Sequence, residues 1–343
     1  MVSEAPDCVT LAPDDPRWRL AVAGHPDAIP FHEPGWIEAV AGCYGFRGFV
    51  LAVPDQGSGL AAGLPVVELC GPFGSRRWEA LPFSDTCPPL VRRPGAEHVL
   101  SAGLLSAASA AGVERVAVRA PLPGLAPRRV AVEHVLDLTP GEAAVLAGFS
   151  SSARRGVRKA RREGVTVRSA TTEDELVRAF YSLHLQTRKR LGVPVQPRRF
   201  FRLLWRHVIE PGGGELLLAR ANGRPVAGMV LLRTGRTVVY KYGASDARAL
   251  PLRPNNLLFA EAIAAAARAG YGRFDFGRSD DEDTGLRAFK AAWGAPETPL
   301  VYAGRGTVAA GRQGAARLLS GVIRRAPAVV CRGVGEALYR YAA

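Results

Sequence analysis

Two stretches of this chain, spaced roughly 160 residues apart, follow one order of elements, and that duplication limits the fold more than any other feature. In the first copy, Phe31 to Gly45 reads as a helix with Trp36, Ile37 and Val40 on one side. Strands follow at Phe49 to Val53 and Leu60 to Leu69, joined by a turn at Pro54-Asp55-Gln56-Gly57. A further strand, Trp78 to Phe83, leads to Ser84-Asp85 and a Pro-rich loop. The Ala-rich helix Glu97 to Ala111 then stops at Gly112, and Arg115 to Arg119 is a strand. In the second copy the helix is Glu173 to Leu191. A hairpin follows, with strands Glu215 to Ala221 and Val226 to Leu232 about Asn222-Gly223. Val238 to Tyr242 is a strand, and after it come Gly243-Ala244-Ser245-Asp246 and a Pro-rich loop. Helix Leu257 to Ala269 ends at Gly270, and Arg273 to Phe276 is the matching strand. Strands alternate with helices, but the early strands are hairpin-connected. The expected class is therefore α/β, with mixed sheets flanked by helices in two side-by-side domains.

A chain of 343 residues, 48% of them hydrophobic, has material for two such cores. The net charge is +14, and only four of the 45 basic residues are Lys (Lys159, Lys189, Lys241 and Lys290). That excess predicts a polyanionic partner: nucleic acid, a phosphorylated substrate or an anionic membrane face. The five Cys are odd in number and lack CxxC spacing, which argues against a disulfide framework and against a zinc site. The acidic opening, Met-Val-Ser-Glu-Ala-Pro-Asp, has no apolar run, and no stretch reaches transmembrane length. The expected location is the cytoplasm.

Positive charge peaks where the copies join, between Gly141 and Gly164. Arg154, Arg155, Arg158, Lys159, Arg161 and Arg162 follow three serines, and as a helix 154, 158, 161 and 162 share a face. This is either a solvated helix side or a phosphate-contacting surface. The segment richest in chemistry is Tyr271 to Gly294. Phe274, Asp275 and Phe276 alternate as a strand; Gly277 breaks it, and Arg278 and Ser279 follow on a turn. After an acidic loop, Lys290 stands between Phe289 and Trp293. Arg offers a planar donor fork and Lys a mobile point charge, which together suit an anionic or carbonyl-bearing ligand.

The second copy carries a series of motifs in a telling order. They are Arg158-Lys159-Ala160-x-x-x-Gly164-Val165, Thr187-x-Lys189-Arg190-x-Gly192-Val193-Pro194, Val226-Ala227-Gly228, Tyr240-x-Tyr242-Gly243-Ala244-Ser245, Pro254-Asn255-Asn256-Leu257-Leu258, Asp275-Phe276-Gly277-Arg278-Ser279 and Phe289-Lys290-x-x-Trp293-Gly294. In this order the chain resembles the FemA/FemB/FemX-like aminoacyltransferases, over most of 30 to 303 and most densely after 150. The resemblance implies two tandem Gcn5-related acyltransferase (GNAT)-like domains, at 1–145 and 146–303, with 304–343 left as a basic amphipathic tail. It implies amide formation by transfer of an aminoacyl group from a charged tRNA, used as co-substrate with no resident cofactor, to a small-molecule, peptide-like or cell-wall-precursor amine. By position in the motifs, Lys290 matches the lysine near the donor ester, Tyr240 and Tyr242 the acceptor-side tyrosine pair, and Asp85 an acidic residue of the first domain.

Within that reading Lys290 steadies the oxyanion, Tyr242 donates to it or orients the amine, and Asp85 accepts the amine's proton or holds the amine. Ser84, Arg278, Ser279, Asn255 and Trp293 join Tyr240 as expected substrate contacts, Asn255 and Asn256 reading equally as helix N-caps. The basic run from Arg154 to Arg162 becomes the expected tRNA contact. Acyl-CoA is the rival donor, but Arg248 to Asn256 has no Gly, and its prolines remove amide donors a pyrophosphate needs. A third alternative is a non-catalytic RNA-binding protein of the same fold. The tail, Ala309 to Tyr341, reads as a basic helix lying on membrane or tRNA, or docked on the second domain.

Overall fold

The computed structural model describes residues 8–57, 59–71, 74–306, 320–321, 323–327, 330–333, 335 and 339. The first half runs β1 (Val9–Leu11), α1 (Pro16–Ala23), α2 (Pro34–Tyr44), β2 (Arg47–Pro54), β3 (Leu60–Cys70), β4 (Arg76–Glu79), β5 (Leu90–Val91), α3 (Ala96–Ala110), β6 (Arg115–Val118) and β7 (Ala126–Asp137). Helices α4 (Glu142–Ala147) and α5 (Ser151–Arg162) join it to the second half. There follow β8 (Thr166–Ser169), a π-helical turn at Glu175–Phe180, α6 (Tyr181–Leu191), α7 (Arg198–Leu204), β9 (Gly214–Ala221), β10 (Arg224–Thr234) and β11 (Thr237–Ser245). The half closes with α8 (Pro254–Arg268), β12 (Arg273–Ser279), α9 (Thr284–Ala291) and β13 (Glu297–Arg305).

The duplication is real in three dimensions. Helices α3 and α8 both end with Gly one residue past the cap, Gly112 at φ +68° and Gly270 at φ +81°, conformations that cost an L side chain about 1 kcal/mol or more. Asn222 and Gly223, at φ 49° and 73°, form the hairpin turn between β9 and β10. In each half two strands pair in parallel on either side of the Ala-rich helix, β4 with β6 and β11 with β12. One expected strand is shorter: β4 stops at Glu79, because Leu81 and Phe83 take left-handed backbone (φ 44° and 66°) that no strand accommodates.

The sheets are not separate. The strands form one path, β1-β2-β3-β4-β6-β13-β7-β12-β11-β10-β9-β8, with β5 on β3. Strand β7 leaves the first half to pair with β12, while β13 returns from the second half to lie between β6 and β7. Each half thus receives an inner strand from the other's side of the chain. A central core is likewise shared: Phe31, Trp36, Val40 and Leu81 pack with Phe180, Phe201, Val230 and Tyr242 on one face. On the other face, α3 and α8 cover separate cores around Leu100 and Leu104, and around Phe259 and Ile263. Each fully buried Leu, Ile or Phe is worth about 1.5–3 kcal/mol.

Much of the expected basic tail helix, including Arg312, Arg317, Leu318, Leu319 and Val322, lies outside the described residues. Ile323, Cys331 and Tyr339 are described and buried in the central core, Tyr339 stacking on Tyr44 with ring centroids 5.9 Å apart. Among the described residues no helix is long and apolar enough to cross a membrane.

Candidate active site

The wedge between β11 and β12 is the focus of the molecule. The two strands pair at Thr237 with Arg273, Val238 with Phe274 and Val239 with Asp275, and then part, although both run on. A crevice at the carboxyl ends of parallel strands is where open α/β sheets bind ligands. Both strands are irregular at the parting. On β11, Val230 pairs with Tyr242 and Leu231 with Tyr240, so Lys241 is an extra residue with no partner across the ladder. On β12 the register with β7 shifts between Asp275 and Arg278.

The wedge is closed from the first half by the loop after β4. Its backbone is fixed at several points: Ser84 Oγ donates to Leu81 O at 2.6 Å, Arg119 donates to Ser84 O at 3.0 Å, and Tyr302 donates to Asp85 O at 2.6 Å. Left-handed residues held this firmly mark a position the fold over-determines. The loop delivers Asp85 to the wedge, with Oδ2 3.5 Å from Lys241 Nζ. A Cβ on Gly277 would sit 2.8 Å from the same oxygen, and Gly277 itself has φ +69°. Glycine is required there twice, for backbone and for space.

Lys290 reaches the wedge from α9. It is 2% exposed, and its ammonium donates to Gly277 O at 2.7 Å and to Arg278 O at 2.9 Å, which leaves one N–H uncommitted. Burial pulls its pKa down to about 8, against the opposing pull of Asp85 and Asp275. Asp275, 5% exposed, accepts from Gly277 N–H at 2.7 Å. Burial pushes its carboxyl up to about 7, with Asp85 and Glu133 adding to the rise. Burial also lowers Lys241, which Asp85 and Asp275 partly offset. Two ammonium groups and two carboxylates therefore sense one another in one crevice, and two of the four titrate near neutrality.

The other expected residues are scattered around this centre. Ser279 is 2% exposed, and its Oγ has no hydrogen-bond partner among the described residues. Arg278 is exposed and tied to Asp280 at 2.7 Å. Ser84 is buried and engaged with Leu81 O, so it holds the Asp85 loop. The expected tyrosine pair is split. Regular alternation would put Tyr240 and Tyr242 on one face, but the extra residue between them turns them to opposite faces. Tyr242 lies in the central core among Phe200, Phe201 and His184, and burial holds its hydroxyl well above the ordinary range. Tyr240 lies in the second core, its ring 4.8 Å from Phe259, its hydroxyl pushed up to about 12 by burial.

Trp293 is a correction. It is fully buried, edge-on to Phe149 at 4.9 Å and 5.8 Å from Phe259, and packs the second core rather than facing the wedge. Asn255 and Asn256 are corrected as N-caps: the cap of α8 is Arg253, at φ 61°, and the asparagines occupy the first turn. Asn256 packs under α5, where a Cβ on Gly156 would meet its side chain at 2.6 Å.

Helix α5 forms as expected, capped by Ser150, whose Oγ accepts from Ala153 N–H. It buries Ala153, Gly156, Val157 and Ala160 and exposes Arg154, Arg155, Arg158, Arg161 and Arg162, with Lys159 half-buried. Arg161 pairs with Glu261 at 2.9 Å, and Arg154 donates to Ala147 O. Arg155, Arg158 and Arg162 have no ion pair or hydrogen bond among the described residues.

Lys241, Asp275, Gly277 and Arg119 join the site without a role expected from sequence. The Asp275–Gly277 segment was visible as an acid inside an apolar strand ending in Gly. Lys241 carried no signal, since alternation between two tyrosines places it on a solvated face.

The acetyltransferase (GNAT) domain family matches residues 147–290. No curated protein sequence matches. Among solved structures, FemX is similar with a TM-score of 0.69 at 16% identity, covering 87% of this chain and 96% of that one. The C-terminal domain of a putative lysylphosphatidylglycerol synthetase from Agrobacterium fabrum has a TM-score of 0.57 at 16% identity, covering 90% and 95%. A tandem GNAT protein from the clavulanic acid biosynthesis pathway has a TM-score of 0.52 at 14% identity, covering 88% and 99%. Residues 147–290 thus match a GNAT domain, and the fold of the whole chain is similar to those of FemX and of a tandem GNAT protein.

Proposed function

We propose that this protein is an acyltransferase that moves an aminoacyl group from aminoacyl-tRNA to an amine of a small-molecule, peptide-like or cell-wall-precursor acceptor. The observation that carries the reading is the crevice where Lys290 and Lys241 meet Asp85 and Asp275. Ester aminolysis needs a donor for the oxyanion, a proton for the departing ribose oxygen, and an acceptor for the amine's proton. Lys290 has a free N–H and a pKa of about 8, so it stabilises the oxyanion and gives up a proton readily to the leaving oxygen. Asp85, its side chain 28% exposed, takes the proton from the attacking amine. Ser279, buried with an idle hydroxyl, offers a hydrogen bond to the substrate.

Two further features support tRNA as the donor. Arg154, Arg158 and Arg162 follow i, i+4 spacing, a like-charge arrangement that weakens an isolated helix and is relieved by a polyanion. At the start of α8, Pro251 and Pro254 lack N–H groups and the Asn256 N–H is already donated to Arg253 O. That turn is a poor cradle for a pyrophosphate. Similarity to FemX and to a lysylphosphatidylglycerol synthetase domain agrees with aminoacyl transfer.

The test is a reconstituted reaction with charged tRNA and a panel of amines. Amide formation that stops on ribonuclease treatment is the expected result. Turnover untouched by ribonuclease and driven by acyl-CoA would replace the donor. RNA binding with no transfer under any condition would replace the enzyme reading altogether.

A further inference from the structure

Lys241 occupies an unusual position for a charged side chain. The side chain is 6% exposed, and its Nζ lies 5.0 Å from the ring centroid of Phe31, 5.6 Å from that of Trp36 and 5.4 Å from that of Tyr242. Phe31 and Trp36 come from the first half of the chain, Tyr242 from the second. Three aromatic faces favour a cation, but they supply no counter-charge. The carboxylate within reach is Asp85, whose Oδ2 is 3.5 Å away. Asp275 and Arg119 also act on the ammonium, the first favourably and the second against it.

Stability alone is a weak reason to keep such a group, since a buried pair often contributes less than an apolar residue of the same size. The pair has a second property. The ion pair is made through Oδ2 of Asp85, and Oδ1 has no hydrogen-bond partner among the described residues. The carboxylate is gripped by one oxygen and presents the other.

We infer that Lys241 is a positioning residue, whose ammonium, seated on Phe31, Trp36 and Tyr242, aims the free oxygen of Asp85 at the attacking amine. This rests on the aminoacyl-transfer reading of the crevice. The bulge in β11 completes the seat: alternation from Val239 carries the side chain at 241 to the face of Phe31 and Trp36, and the extra residue brings Tyr242 to that same face.

The test is a double-mutant cycle of Lys241→Met and Asp85→Asn, followed by kcat and KM for transfer. Lys241→Met is expected to lower kcat by roughly 10- to 100-fold with acceptor KM changed by less than about threefold. The double variant should be within about twofold of Asp85→Asn alone, because the lysine acts through the aspartate. Losses that multiply would overturn the inference, since a merely structural lysine weakens either background alike. A second arm needs no transfer and no Lys241 variant. With four lysines in the chain, side-chain NMR resolves each ammonium. Asp85→Asn should move the titration of Lys241 to lower pH and leave Lys159 and Lys189 in place; an unmoved Lys241 overturns the pairing. Absence of transfer in the wild type, with Lys241 still responding to Asp85→Asn, would count against the reading of the reaction and not against the pair.

Discussion

At the residue scale the wedge is a set of groups whose charges are set by burial. Lys290→Met should lower kcat/KM for transfer by about 10²–10³-fold, the usual loss when one oxyanion donor is removed, while circular dichroism stays native. Asp275 makes a prediction about stability. Its folded pKa of about 7 lies above the ordinary 3.8, so between those values the native state holds a proton that the unfolded chain has released. Its contribution is therefore complete below pH ~4 and is lost as pH rises toward 7, by up to ~4 kcal/mol for a shift of this size. Urea unfolding at pH 4.5 and 7.5 should show a smaller decline for Asp275→Asn than for the wild type. Gly277→Ala should cost about 1–2 kcal/mol from backbone alone and also displace Asp85. Gly112→Ala is the control, with a similar φ and nothing within 4 Å of the new methyl. Transfer should collapse in the first variant and persist in the second. Lys290 was legible because it sits in a patterned segment. Lys241 was not, because a lysine between two tyrosines has the pattern of a strand's solvated side.

At the scale of elements, α5 is the clearest test of the partner. Replacing Arg155, Arg158 and Arg162 by Glu should weaken tRNA binding across all sequences and reduce the slope of log affinity against log salt by roughly one per residue. Filter binding from 50 to 300 mM salt measures this, and an unchanged slope would reassign the helix as a solvated surface. Elements with strong punctuation could be read from the chain: α3 and α8 through their Ala content and terminal Gly, and the β9–β10 hairpin through Asn222-Gly223. Strands β7 and β13 could not. Pro127 and Pro299 lie inside them, Arg128 and Arg129 are exposed, and such sequences look like loops. They hold their places through pairing with distant strands, which is information no local window contains.

For the whole molecule, the crossing of β7 and β13 means that the two halves complete one another. Residues 1–145 expressed alone lack the strand that lies between β6 and β7, and residues 146–343 lack the strand that covers β12. Each fragment should be unfolded or aggregated by itself, with open sheet edges; co-expression should recover a soluble complex. Two independently folded fragments with cooperative thermal transitions would contradict this. The same crossing has a bearing on synthesis in the cell. Strand β6 leaves the ribosome roughly 180 residues before β13, a wait on the order of 10–40 s at ordinary elongation rates. Through that interval the nascent first half carries an unsatisfied edge, so the protein is one whose yield should depend on chaperones that shield growing chains.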